Sequence, residues 1–593
     1  MIRRYLVRAH SKPLPPATAA DLPSFDLQGG RPADLHLEGT AKQALDVGRT
    51  RLLVAAMSFA LAFSLIGWRL VDLGLMADRH EPSIARSLSS DRLETGRADI
   101  VDRNGIVLAT TMPTASLYAN PQHVRDPAAA AERLAAVLPE ASPARLAAKL
   151  ATARSFVWLQ RNLTPRQQYA VNRLGIPGLY FQREHRRFYP HGALTPHVVG
   201  FTGVDNEGLA GIEQSFDDVL RASATPLQLS LDIRVQHILS EELAKAMATF
   251  SAIGAAGVVM DARSGEVVAL SSLPSYDPAK PATASADARF NRASLGIYEM
   301  GSVFKIFTTA MALNEGVVTL ADGYDTRQPI RVSRFTIRDF KPKNRWLSIP
   351  EILMYSSNIG TVQMAMDAGT PAQQAFLKRI GLLQPAAIEL PEVGQPLMPS
   401  PWREINTMTI SFGHGLAVSP VQLTAAMAAM VNGGTEVRPT LMKRNPRQVA
   451  AGTRLISETT SAKVRRLMRL VVAKGTARKA DAQGYVVGGK TGTAEKLAGR
   501  GYSRNSRIAS FVGAFPMTDP RYVVFVLIDE PKPTKETHGY ATGGWVAAPV
   551  MHNIVERMGP LVGIAPQGDG EAMIEEMLVE MNKSAEGRQL ASN

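Results

Sequence analysis

The feature that most constrains this chain is a stretch near its start that carries no charge. Leu52 to Trp68 (LLVAAMSFALAFSLIGW) contains no Asp, Glu, Lys or Arg over 17 residues. About 17–25 apolar residues cross a bilayer as a helix. Arg69 follows, then the largely apolar Leu70 to Met76. Trp68 suits the interface, and Arg69 can reach the headgroups along its methylene stem. A buried core helix fits a run this free of charge poorly. A cleaved signal peptide fits less well too, because the preceding segment is too long for an n-region and no small-x-small site follows. No other run this long is as uniformly apolar, so a single-pass protein is expected, with everything after residue 76 on one side. Residues 1–51 hold eight Lys/Arg, from Arg3 to Arg51. Close to the span, however, the two flanks are nearly even in basic residues, so charge alone leans only slightly toward an inside N-terminus.

Composition removes several function classes. The 593 residues allow roughly three to five domains. There is no cysteine, which excludes a disulfide scaffold, a Cys-ligated metal centre and a thiol nucleophile. Lys+Arg 66 against Asp+Glu 53 gives +13. The basic residues form no run and no aromatic-plus-basic module, so they read as a dispersed surface rather than a nucleic-acid site. The histidines show no ligand spacing, and neither a metal nor a cofactor is expected.

The chain divides into a tail (1–51), an anchor (52–76), a mixed strand and Ala-rich helix region (77–222), a long strand–helix–strand region (223–563) and an acidic tail (564–593). In the long region, Val258 to Asp261 reaches a turn at Arg263-Ser264-Gly265 and returns through Val267 to Leu270, a hairpin signature. Tyr522 to Ile528 reads as a second strong strand. Helical patterns lie between them, near 303–315, 350–366, 374–380, 419–432 and 459–473. This order predicts an α+β fold whose terminal strands share one sheet. In the last tail, a Met/Leu stripe at helical spacing predicts a short amphipathic helix.

Three motifs carry chemistry. In Gly301-Ser302-Val303-Phe304-Lys305, Ser302 and Lys305 stand at i and i+3 on one helix face. Serine needs a base within reach to act as a nucleophile. Lysine can be that base where burial or a second cation destabilises its ammonium, and Phe304 and Phe307 offer the burial. The helix N-terminus favours a developing anion. Ser356-Ser357-Asn358 begins or interrupts the helical run after Pro350, placing a hydroxyl and a carboxamide two residues apart. Lys490-Thr491-Gly492-Thr493 sits on a glycine-flanked strand whose edge could take up a peptide through main-chain hydrogen bonds. Each motif alone is common.

The third motif has a rival reading. Residues 484–491 (GYVVGGKT) match the Walker A pattern, and Val523 to Glu530 looks like a Walker B strand. Walker A requires a helix to begin at the Lys-Thr pair. Gly492 follows at once, and a loop closes near Gly499, so a nucleotide site is disfavoured.

In the order S-x-x-K, S-x-N, K-T-G, the three motifs together resemble the penicillin-recognising serine acyltransferases. Leu273 to Pro278, Tyr298 to Gly301 and Ser411 to Gly415 look like a bacterial transpeptidase domain. Asp102-Arg103-Asn104-Gly105, Arg186 to Pro190 and Gly200 to Asp205 with Gly208, Gly211 and Glu213 resemble the pedestal of class B penicillin-binding proteins, most closely the division-specific type. Ala98 departs from the glycine common after the arginine here numbered Arg97. The likeness spans roughly residues 52–560.

That resemblance implies a transpeptidase domain with a central antiparallel sheet, flanking helices and an all-helical subdomain, set on an elongated α+β pedestal. It implies Ser302 as nucleophile, Lys305 as base, Ser356 and Lys490 as proton relay to the departing amine, and Asn358 as holder of the substrate amide. Backbone N–H groups of Ser302 and Thr493 would form the oxyanion hole, with Thr491, Gly492 and Thr493 binding the substrate carboxylate. His414 is expected to be a turn residue. Peptidoglycan stem peptides, β-lactams, a membrane glycosyltransferase and other division proteins are the implied partners, and the catalytic part would face the periplasm. A serine β-lactamase, a penicillin sensor, a bifunctional class A enzyme and an elongation-specific class B enzyme remain as rivals, the last being the nearest.

Overall fold

The computed structural model describes residues 51–68, 97–332, 335–445, 452–498, 501–568, 570–579 and 581. The tail before residue 51, residues 69–76 of the expected anchor, the first part of the expected pedestal (77–96) and the last twelve residues lie outside this range.

Arg51–Trp68 is a single helix with a mean hydropathy of 1.7. At about 1.5 Å per residue it can span a bilayer's hydrocarbon. Among the described residues it alone combines the length and apolarity for that.

The pedestal is built on one long strand. β1 (Ile100–Val101), β2 (Val107–Ala119), β3 (Val157–Leu163), β4 (Leu179–Phe188) and β5 (Leu227–Gln228) form a five-stranded sheet in the order β3-β2-β1-β5, with β4 also paired to β2. β2 can serve three partners because its first half meets β1 and its second half lies between β3 and β4. One face of that second half carries Leu117 and Ala119, buried with Leu134, Leu146, Leu159 and Val171. The helices that supply this small core are α1 (Pro127–Val137), α2 (Pro143–Leu150) and α3 (Pro165–Arg173). The Ala-rich stretch thus forms two helices. Proline follows the N-cap in each of the three, where its missing N–H costs nothing. Asp126 caps α1, and Thr164 with Gln167 closes a capping box on α3.

Where the pedestal meets the rest, Ile100, Leu108, Val198 and Ile212 join the main apolar core, and a buried charge cluster lies beside them. The fully buried Glu213 carboxylate takes Arg97 on one oxygen and Arg187, at 2.6 Å, on the other. Arg97 also reaches Asp217, and Arg187 donates to the Arg97 carbonyl at 3.1 Å. The Asp102-Arg103-Asn104-Gly105 turn then ties pedestal to catalytic region. Asp102 accepts from its own turn and from the Ile233 N–H, Asn104 donates to Asp232 and Arg103 pairs with Glu266.

The catalytic region holds one antiparallel sheet of β6 (Gly254–Asp261), β7 (Val267–Leu273), β8 (Gly488–Ala498), β9 (Gly501–Phe515) and β10 (Tyr522–Asp529), ordered β8-β9-β10-β6-β7. The expected hairpin is β6–β7, and β10 pairs with β6 along its whole length. The hairpin and the late strand β10 thus share a sheet, while the short β5 joins the pedestal's. Both central strands are buried at every position, as strands covered on both faces must be. α4 (Ile233–Thr249) and α12 (Ala547–Leu561) pack on one face. Neither belongs to the helical patterns read from the sequence. Their outer surfaces are charged and joined by Arg557 to Glu241 and Glu242.

The helical layer surrounds α5 (Phe304–Asn314), in which ten of eleven residues are buried. A helix enclosed on all sides is a core element. Around it lie α6 (Ile349–Tyr355), α7 (Asn358–Ala368), α8 (Thr370–Arg379), α9 (Glu404–Ser411), α10 (Pro420–Val431) and α11 (Glu458–Lys474), the last two also covering the sheet's second face. The predicted tail helix is present at residues 572–579. Its Ile574 and Met577 are buried in the catalytic core, and Glu571 pairs with Lys474 at 3.0 Å.

Glu213→Ala would leave two enclosed guanidiniums without their carboxylate. Breaking such a buried pair costs about 3–5 kcal/mol. Chemical denaturation should show that loss, with proteolysis beginning in the pedestal.

Candidate active site

Ser302 lies in a single 3₁₀ turn, Gly301–Val303, that leads directly into α5. Gly301 adopts φ +54, and a Cβ there would fall 2.5 Å from the Thr493 carbonyl oxygen. Gly413 presses on the same point, since its Cβ would lie 2.0 Å from the Gly301 oxygen. Gly492 completes the contact: a Cβ on it would meet the Met300 oxygen at 2.5 Å. Two other segments therefore close on the serine turn, and a glycine sits on each side of the contacts.

One helical turn later, the Lys305 side chain is fully buried. Its Nζ donates to Ser356 O at 2.5 Å, Ser356 Oγ at 3.1 Å and Asn358 Oδ1 at 2.7 Å. Ser302 Oγ is in none of these bonds. Burial, then the positive charge of Lys490, hold the Lys305 ammonium well below the usual lysine range, and Asp339 pulls the other way. Lys490, equally enclosed, is lowered to about 7 by burial. Its Nζ donates to Ser356 Oγ at 3.0 Å and to Thr491 O at 3.2 Å. The Ser356 hydroxyl thus lies between two buried amines, both of whose ammonium forms are destabilised.

The second motif interrupts the helical run. α6 ends at Tyr355, and Ser356 takes the left-handed conformation, φ 62 and ψ 45. Ser357 then caps α7 by accepting from Gly360 N. The reversal turns both Ser356 Oγ and Asn358 Oδ1 toward Lys305.

The third motif lies on β8, an edge strand paired only with β9. Lys490 pairs with Val512 and the strand continues to Ala498, so no helix begins at the Lys-Thr pair and the phosphate-loop reading falls. Thr491 Oγ1 is 3.2 Å from Thr476 Oγ1, and Thr493 Oγ1 accepts from Gly543 N at 3.1 Å. Strand alternation puts Thr491 and Thr493 on one face and Lys490 on the other.

Several neighbours were not singled out from the sequence. Thr476 and Gly543 meet β8 from loops far away in the chain. Asp339 and Arg338 touch the Ser356–Asn358 turn from about 20 residues earlier, and no motif marks them. His414, in the turn after α9, is half-buried against Phe412, and desolvation with the Lys305 charge lowers it to about 4. It is neutral at pH 7.

Residues 255–556 match the model for the penicillin-binding protein transpeptidase domain, and residues 92–232 that for the penicillin-binding protein dimerisation domain. The chain belongs to the penicillin-binding proteins. A relative from Caulobacter vibrioides, named a probable peptidoglycan D,D-transpeptidase FtsI, is 40% identical over 80% of this chain and 82% of its own. Peptidoglycan D,D-transpeptidase FtsI of Escherichia coli is 29% identical over 91% of this chain and 96% of its own. The transpeptidase domain of penicillin-binding protein 3 from Burkholderia pseudomallei covers 57% of this chain and 97% of its own, at 34% identity and TM-score 0.52. Penicillin-binding protein 3 of Mycobacterium tuberculosis shares the fold over 80% of this chain and 98% of its own, at TM-score 0.63 and 24% identity.

In this penicillin-binding protein, Gly301→Ala would force a Cβ into the Thr493 carbonyl and shift the serine turn from β8. A displacement of about 1 Å at a reacting group can cost on the order of 10²-fold. Covalent labelling by a fluorescent penicillin should slow by at least tenfold.

Proposed function

We propose that this penicillin-binding protein is a serine D,D-transpeptidase that cross-links peptidoglycan stems during septal wall synthesis. The observation that carries the reading is the Ser356 hydroxyl held between the buried amines of Lys305 and Lys490. That arrangement joins a base next to the nucleophile's helix with a proton donor for a leaving amine.

Ser302 Oγ attacks the carbonyl of the penultimate D-Ala, and Lys305 takes its proton. Backbone N–H groups of Ser302 and Thr493 hold the oxyanion, an interaction commonly worth about 10²–10³ in rate. The peptide C–N bond breaks as Ser356 passes a proton to the departing D-Ala amine, and Lys490 replenishes Ser356. Asn358 binds the stem's amide, while Thr491, Gly492 and Thr493 bind its terminal carboxylate along the free edge of β8. The amine of a second stem attacks the acyl-serine, its proton returns through the same relay and Ser302 is freed. A β-lactam enters the same first step, but its leaving amine stays tethered, so the adduct persists.

The division role is supported by the FtsI names of relatives across two organisms. The anchor helix supports a single-pass protein of the inner membrane, with its N-terminus inside and the catalytic region in the periplasm. A membrane glycosyltransferase and other division proteins are the partners this placement brings within reach. The proposed domains are an inside tail to residue 51, an anchor over 52–76, a pedestal over 77–222, a transpeptidase domain over 223–563 and a C-terminal tail from 564.

The full chain in detergent should form a stable adduct with a fluorescent penicillin, and Ser302→Ala should form none. Rapid turnover of the drug would instead mark a β-lactamase, and no adduct from folded protein would sink the acyl-transfer reading. Lys305→Ala should slow acylation by about 10²–10⁴, the usual worth of a positioned base. Lys305 accepts a proton only as the neutral amine. The acylation rate should therefore fall as pH drops through its lowered value and level off above it. Depletion in the cell should give filaments with unclosed septa, whereas rounded cells would assign it to elongation.

A further inference from the structure

We propose that Asp339 is a positioning residue for the acylation chemistry: its carboxylate holds the Ser356-Ser357-Asn358 turn against α7 and supplies a negative charge beside the lysine cluster. The inference rests on the acyl-transfer reading above and adds a residue outside the three motifs.

Asp339 Oδ1 accepts from the backbone N–H of Asn358 at 2.6 Å and of Ile359 at 3.0 Å. Its Oδ2 accepts from Ser357 Oγ at 2.8 Å. The first two are N–H groups at the start of α7, which has no carbonyl of its own to offer them. A carboxylate there is favoured by the helix dipole as well. The neighbouring Arg338 carbonyl accepts from Asn358 Nδ2 at 2.8 Å. With its NH₂ held on that side, the Asn358 amide must present Oδ1 to Lys305, as it does at 2.7 Å. Arg338 and Asp339 together thus set the tilt of the turn and the face of the amide.

The fold provides a dedicated support for these two residues. They follow a hairpin of Ile330–Val332 and Phe335–Ile337. Ile337 is buried with Val362 of α7 and Met408 of α9, and Ile330, Val332 and Phe412 pack around them. This cluster is separate from the main core. It fixes the hairpin to the helix whose first turn Asp339 holds.

The charge has its own consequence. The groups facing Lys305 are Lys490 from β8, Asp339 from the segment after the hairpin and His414 from the turn after α9. His414 stays neutral, Lys490 disfavours the Lys305 ammonium and Asp339 favours it. Removing the carboxylate would lower the proton affinity of Lys305 further.

The test compares the full chain in detergent with Asp339→Asn and Asp339→Ala, following acylation by a fluorescent penicillin across the acid limb of its pH profile. Asp339→Asn keeps one acceptor oxygen and loses the charge. Its limb should move to lower pH by about half a unit or more. Asp339→Ala should in addition lower the plateau rate by about tenfold or more through the loosened turn. A thermal melt checks that each variant is folded, and Asp339→Asn carries the test if Asp339→Ala is not. Two results would overturn the proposal: profiles matching wild type, or a lowered plateau with an unmoved limb, which a purely structural role would give. Wild type that takes no label at Ser302 would fail the acyl-transfer reading instead.

Discussion

Two amines bracket one hydroxyl, with Lys305 Nζ at 3.1 Å and Lys490 Nζ at 3.0 Å from Ser356 Oγ, and both lysines are fully enclosed. Enclosing a cation is costly unless it is paired or gives up its proton. Here each lysine is supplied with oxygen acceptors from the backbone or an amide rather than with a carboxylate in direct contact. Both ammonium forms are thereby destabilised, and Lys490 is left able to exchange a proton near neutrality. The interior placement of α5, the edge placement of β8 and the left-handed residue between α6 and α7 all serve to bring those three groups together.

Close backbone approach makes that meeting possible. The serine turn, the turn after α9 and β8 come within contact distance at Gly301, Gly413 and Gly492, and the loop at Gly543 closes on β8 from the other side. Any side chain at these points would enter a neighbour's backbone, which cannot move aside as a flexible side chain can. The sheet completes the geometry because its first and last strands in the chain are neighbours. β8 hangs from the C-terminal half, whereas Ser302 follows the N-terminal half, so the site assembles only when the whole region has folded.

The three motifs were legible because each is local: i and i+3 on a helix, a tight turn, and a strand with glycines. The β6–β7 hairpin and β10 were legible from valine-rich apolar runs, the first two joined by a turn signal at Arg263-Ser264-Gly265. The sequence left open whether Ser356 begins or interrupts a helix, since only the left-handed backbone at that residue decides it. Asp339 was invisible because its partners are main-chain N–H groups about 20 residues away, which no side-chain spacing encodes. Helices α4 and α12 were obscured by the charged faces that bind them to one another across Arg557 and Glu242. The stripe in the C-terminal tail predicted its helix, but not that Ile574 and Met577 would insert into the catalytic core.

An exposed sheet edge carries a hazard of its own, since unpaired main-chain groups invite the edge of another molecule. This protein cannot cover β8 if a substrate strand is to lie there. An ionisable side chain turned inward from an edge is one of the ways natural sheets discourage such zipping. Lys490, already enclosed, adds no such charge to the edge, but farther along the same strand the half-buried Lys496 reaches across the sheet to Asp529 and Glu530 at 2.9 and 3.0 Å. The charge set along this edge is therefore carried by Lys496, not by the lysine read as chemistry.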